Sequence, residues 1–120
     1  MKKIILYCFF VLLLALMGRL VAHGQTKDDV WVALDRLILC ESSGKRLIKV
    51  LDKNSRYSYS SLMFQRETFD SFGEKYGLPH NDIYSRGEQI AIAKRMLEEP
   101  NGWKNWYRCS VKNGVDKMSF

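Results

Sequence analysis

Apolar and polar positions divide this chain into a leading apolar run and a body of helical periodicity with an irregular middle. From Lys27 to about Glu41, apolar residues fall at Val30, Leu34, Leu37 and Ile38, a 3.6-residue repeat that Trp31 extends. Asp28 and Asp29 suit the positive first turn, and Ser42-Ser43-Gly44 ends the helix. Lys45 to Val50 reads as a short strand or an extended arm, and Asp52-Lys53-Asn54-Ser55 as a turn. Tyr57-Ser58-Tyr59-Ser60-Ser61 is polar and aromatic, more loop or hairpin than helix. A second helix is predicted to start between Leu62 and Gln65 and run to Tyr76, with Phe64, Phe69 and Phe72 near one face and Gly77 as its stop. Ser85-Arg86-Gly87-Glu88 has the form of a capping box. The helix it opens buries Ile90, Ala91, Ala93, Met96 and Leu97 and ends before Pro100. A last short helix around Trp103 to Cys109 brings Trp103, Trp106 and Tyr107 back to the body. Residues 111–120 carry little pattern and read as a C-terminal tail.

The leading run is a targeting signal rather than part of the fold. Lys2 and Lys3 precede apolar residues from Ile4 to Met17, and then comes Gly18-Arg19-Leu20-Val21-Ala22-His23-Gly24-Gln25. A charged start, an apolar middle and a small-residue exit define a secretion signal over residues 1–24, cut before Gln25. The run is shorter than the roughly 20 residues that span a bilayer. An uncleaved anchor is the alternative, and is the single route by which a membrane enters the reading. Cys8 has no lipobox around it. The expected location is therefore secreted or periplasmic.

Removing the signal changes the charge. Lys2, Lys3 and Arg19 go with it, so the nineteen basic residues become sixteen against thirteen acidic ones, a net charge of +3. That balance suits an anionic polymer without selecting one. No basic stripe or zinc-finger spacing points to nucleic acid. Two cysteines remain, Cys40 and Cys109, in an oxidising compartment, where a disulfide is the default and two free buried thiols the alternative. His80, beside Pro79, has no neighbours at metal-ligand spacing, so neither a metal nor a cofactor is expected.

The chemistry concentrates in Cys40-Glu41-Ser42-Ser43-Gly44, which sets a carboxylic acid at the end of an apolar helix. Around it stand Leu34-Asp35-Arg36-Leu37, Thr68-Phe69, Arg86-Gly87-Glu88-Gln89-Ile90-Ala91-Ile92-Ala93 and Gly102-Trp103-Lys104-Asn105-Trp106-Tyr107-Arg108-Cys109-Ser110. In this order the motifs resemble the lysozyme superfamily, in particular the compact transglycosylase-like domain of resuscitation-promoting factors. The resemblance covers about residues 34–110. It implies a mainly α, lysozyme-like α+β fold over residues 25–110, with about four helices, a short hairpin or irregular arm and a Cys40–Cys109 disulfide. It implies Glu41 as the catalytic acid and base, acting on the β-1,4 bond between N-acetylmuramic acid and N-acetylglucosamine. Peptidoglycan glycan strands are then the expected partner of a monomeric chain. The alternative is a non-catalytic wall-binding or secreted interaction protein of the same fold.

Other site residues are assigned from position. Asp52 is the nearest candidate for a second carboxylate, against the reading that it shapes the turn with Asn54 and Ser55. Tyr57, Tyr59 and Tyr84 are candidate sugar-stacking rings, while Trp103 and Trp106, three apart, read better as core anchors. Aligning on Thr68-Phe69 puts Met63 where the family has glutamine, and Ser60 or Ser61 where it has glycine. A shift of two restores Gln65 but breaks the distance to Thr68. Both Met63 and Gln65 therefore stand as candidate substrate contacts. Ser42 and Ser43 have no activating histidine in sequence context, so a serine-hydrolase reading is poor.

Overall fold

The computed structural model describes residues 5–13 and 27–120. Residues 5–13 form an exposed helical segment of the apolar run. Ala22, Gly24 and Gln25 of the expected cleavage site lie outside the described residues. Among the described residues no helix is long and apolar enough to cross a membrane.

The first helix of the body, α1 (Val30–Ser42), starts where Asp29 accepts a hydrogen bond from the Trp31 amide at 2.9 Å. Its buried stripe is Ala33, Leu34, Leu37 and Ile38. Trp31 does not extend that stripe: it stands in the first turn, 54% exposed, with Lys94 Nζ 6.0 Å from its ring centroid. At the far end Ser43 adopts φ 55°, and its amide bonds back to the Leu39 carbonyl at 3.1 Å. This left-handed cap turns the chain sharply one residue after the buried Ser42.

The polar middle forms a small antiparallel sheet in the order β1 (Lys49–Leu51), β2 (Tyr57–Tyr59), β3 (Phe64–Gln65). The first pair is in register Val50 to Ser58 and the second Ser58 to Gln65. The turn between β2 and β3 contains two non-glycine residues with positive φ, Ser60 at 64° and Met63 at 53°. Ser60 is therefore the residue in the backbone state that a glycine would favour, and Ser61 is not.

Pairing of Phe64 and Gln65 delays α2 to Arg66–Tyr76, and Gly77 closes it at φ 63°. Next, α3 (Arg86–Glu98) begins with the Ser85 hydroxyl accepting from the Glu88 amide at 3.2 Å. Glu88 does not complete the reciprocal box. Its carboxylate instead accepts from the Asn81 and Asp82 amides, at 3.1 and 2.8 Å, and pins the loop before the helix. Fully buried positions on α3 are Gln89, Ile92, Ala93 and Met96, while Ile90 and Ala91 are half-buried.

A 3-10 turn at Gly102–Trp106 leads into α4 (Tyr107–Lys112). Gly102 sits against α3 so closely that a methyl group there would lie 1.7 Å from the Met96 carbonyl oxygen. Trp106 is buried, as expected of a core anchor, and Trp103 is half-buried, but Tyr107 is 62% exposed and does not return to the body. Residues 111–120, expected as a tail, are packed instead. Val115 is fully buried in a second 3-10 turn, Val115–Lys117, and Met118 and Phe120 lie against the core. The Asp28 amide bonds the Ser119 carbonyl at 2.7 Å, and the Ser119 amide bonds the Asp28 carboxylate at 2.8 Å.

One core unites these elements, with Leu34, Leu37, Leu62, Phe69, Ile83, Ile92 and Met96 almost wholly excluded from water. Cys40 and Cys109 form a disulfide between α1 and α4. The architecture is a small, mainly α domain with a short irregular sheet and one disulfide, as the sequence predicts.

Candidate active site

Glu41 lies one residue before the end of α1, half-buried, and lines a cavity of about 350 Å³. That volume is at the lower end of the range for small-molecule sites. Five parts of the chain build the walls. α1 supplies Glu41; the sheet and the turn beside it supply Asp52, Ser58, Met63, Phe64 and Gln65; α2 supplies Thr68. α3 supplies Met96, and the residues just before the last helix supply Asn105 and Trp106.

Asp52 is fixed from two sides. Its Oδ2 accepts from the Ser58 hydroxyl and from Gln65 Nε2, the latter at 2.9 Å. Gln65 is tied in turn to Asn54, through contacts of 3.1 and 3.2 Å. The register explains this cluster: Val50, Ser58 and Gln65 stand in one row across the sheet, and Asp52, two residues after Val50, keeps to the same face. Asp52 also shapes the turn, its carbonyl accepting from the Ser55 amide at 3.0 Å. Asp52 thus lines the cavity and shapes the turn at once.

The electrostatics of Glu41 arise from these surroundings. Partial burial, in a cavity that Phe64, Met96 and Trp106 also line, penalises its charged form and lifts its carboxyl above the ordinary value of 4.5. The Asp52 carboxylate pushes the same way, and the Arg108 guanidinium opposes both.

Of the residues expected to contact substrate, Asp52, Met63 and Gln65 line the cavity with Glu41. Tyr57, Tyr59 and Tyr84 do not. Tyr57 and Tyr59 alternate with Ser58 on β2, so they occupy the other face of the sheet, where Tyr59 packs edge-on to Tyr84 at 5.6 Å and Lys49 lies 4.1 Å over Tyr57. Sequence reasoning missed Ser58, Thr68 and Asn105 as lining residues. The alternation of Ser58 with two tyrosines was the available signal for the first.

Gln89 braces the β2–β3 turn, which carries Met63, without itself lining the cavity. It is completely buried on α3, its Oε1 accepting from the Leu62 amide at 2.8 Å and its Nε2 donating to the Tyr59 and Ile83 carbonyls, both at 2.7 Å. Trp106 Nε1 donates to the Leu62 carbonyl at 2.9 Å and completes the clamp on the β2–β3 turn. Replacing Gln89 with leucine leaves three backbone groups without partners. The expected loss of stability is about 3 kcal/mol, measured by denaturant unfolding.

Among the described residues no three or more histidine, cysteine, aspartate and glutamate side chains are grouped to hold a metal ion. Comparison with protein-family models, with curated proteins and with solved structures finds no match to this chain.

Proposed function

We propose that this protein cleaves the β-1,4 bond between N-acetylmuramic acid and N-acetylglucosamine in peptidoglycan, as a lytic transglycosylase with Glu41 as general acid and then base. The observation that carries this reading is Glu41 itself. It is a carboxyl group kept protonated to higher pH than usual by partial burial, on the wall of an open cavity lined by both polar and apolar side chains. Glu41 donates its proton to the leaving glycosidic oxygen as the bond to the muramoyl C1 breaks. The resulting carboxylate takes the proton of the muramoyl C6 hydroxyl, whose oxygen closes onto C1. The product is a 1,6-anhydro end, and Glu41 is protonated again. The Asp52 carboxylate, oriented by Ser58 and Gln65, favours the cation that develops at C1. In this reading the leader takes the protein to the cell envelope.

Mass analysis of soluble fragments from purified peptidoglycan tests the proposal. Anhydro ends are expected. Ends heavier by one water would make the enzyme a muramidase, and no fragments at all would remove the enzymatic reading. Asp52→Asn gives a second test. Its charge raises the Glu41 pKa, so its loss lowers it, and activity that needs protonated Glu41 fades at lower pH. The alkaline limb of the pH–rate profile is expected to move towards acid.

One observation favours a binding protein that does not cleave. Met63, at φ 53°, offers the cavity a thioether where the resemblance places glutamine. Tight binding of glycan fragments without products is the outcome that selects this second reading.

A further inference from the structure

Resting on the proposed reading of this cavity, we propose that Arg108 is a specificity residue that selects glycan strands bearing carboxylate groups next to the reacting bond. Its position is set covalently. Arg108 precedes Cys109, Cys109 is bonded to Cys40, and Cys40 precedes Glu41. The two Cα atoms of the link are 5.8 Å apart, so the guanidinium is carried on the segment that flanks the acid. Asn105 and Trp106, three and two residues before it, already form part of the cavity wall.

The charges around the cavity show why a cation matters there. The charged residues among those that line it, Glu41 and Asp52, are both acidic. Alone they disfavour an acidic ligand. Arg108 is exposed, and among the described residues the ion pairs are Arg56 with Glu67, Lys75 with Glu99 and Lys94 with Glu98, so no protein carboxylate occupies it. Its field nevertheless reaches Glu41, where it opposes the influence of Asp52. A guanidinium presents a planar fork of donors that matches a carboxylate. Free carboxylates on the lactyl groups and stem peptides of the wall polymer are ligands of that chemistry.

The test measures binding in a background that cannot cleave. Soluble peptidoglycan strand fragments with free carboxylates are titrated into Glu41→Gln, and so are the same fragments with those groups converted to methylamides. The acidic fragments are expected to bind about five-fold more tightly at low salt, a preference that fades as salt rises. Adding Arg108→Gln is expected to bring the ratio to about one, and Arg108→Lys to restore part of it. An unchanged ratio in Glu41→Gln/Arg108→Gln overturns the role of Arg108 while leaving the proposed reaction intact. If neither fragment binds and the wild type releases no products, the proposed reaction and this inference fall together.

Discussion

Glu41→Gln is expected to lower kcat/KM for peptidoglycan cleavage by about 10³-fold while leaving the fold in place. Glutamine keeps the size of the side chain and its hydrogen-bonding reach, but it cannot donate a proton to a leaving oxygen or take one back. Both halves of the proposed reaction use that proton. The same substitution makes a thermodynamic prediction of opposite sign. Burial raises the folded-state pKa of Glu41, so the fold favours the protonated carboxyl. Its contribution to stability is complete below the unfolded-state pKa and is lost as pH rises through the folded-state value. Above that value the wild type carries an ionised, partly buried group that Glu41→Gln lacks. The melting temperature of the wild type is expected to fall relative to that of the variant as pH rises through the folded-state value, and the difference to be constant well below the ordinary carboxylate range. Equal cleavage rates for the two proteins would remove Glu41 from the mechanism. Equal melting temperatures across the pH range would remove the burial argument.

Loss of the disulfide is the second large effect. Cys40 and Cys109 are 69 positions apart, and closing a loop of that length restricts the unfolded chain by about 4 kcal/mol in the chain-entropy account. A domain of this size has little more than that in total. Replacing both cysteines with serine is expected to lower the melting temperature by about 20 °C. Reduction of the wild type should approach the same value. Activity at moderate temperature should fall as well, because the link holds the segment bearing Asn105 and Trp106 against the helix bearing Glu41. Thermal unfolding followed by circular dichroism, with and without reductant, checks the first claim. A melting temperature unmoved by both treatments would refute it.

How legible this was in the sequence depended on the kind of interaction. Helix α1 was readable because its buried residues repeat every 3.6 positions, and α3 because Ser85 caps its start and Pro100 stands just past its end. Strand β3 was not, since two residues have no period, and the turn before it carries serine and methionine at positive φ rather than glycine. Packing of residues 111–120 was invisible for a related reason. Val115, Met118 and Phe120 are too few to form a pattern, and only their tertiary partners make them core. Within the site, Glu41 stood out by its place at the end of an apolar helix. The strand alternation grouped Tyr57 with Tyr59 but could not say which face met the cavity, and Ser58 took that face. Gln89 was visible as part of a motif, yet its role depends on three backbone groups, two of them 27 and 30 residues away.

The mutual bonds between Asp28 and Ser119 bring the beginning and the finish of the folded body to one point on its surface. Topologically the domain is almost a ring. A bridge of a few flexible residues from Phe120 to Lys27 would close it without displacing any helix, and the polypeptide could then be opened afresh at a distant exposed loop such as that around Pro79.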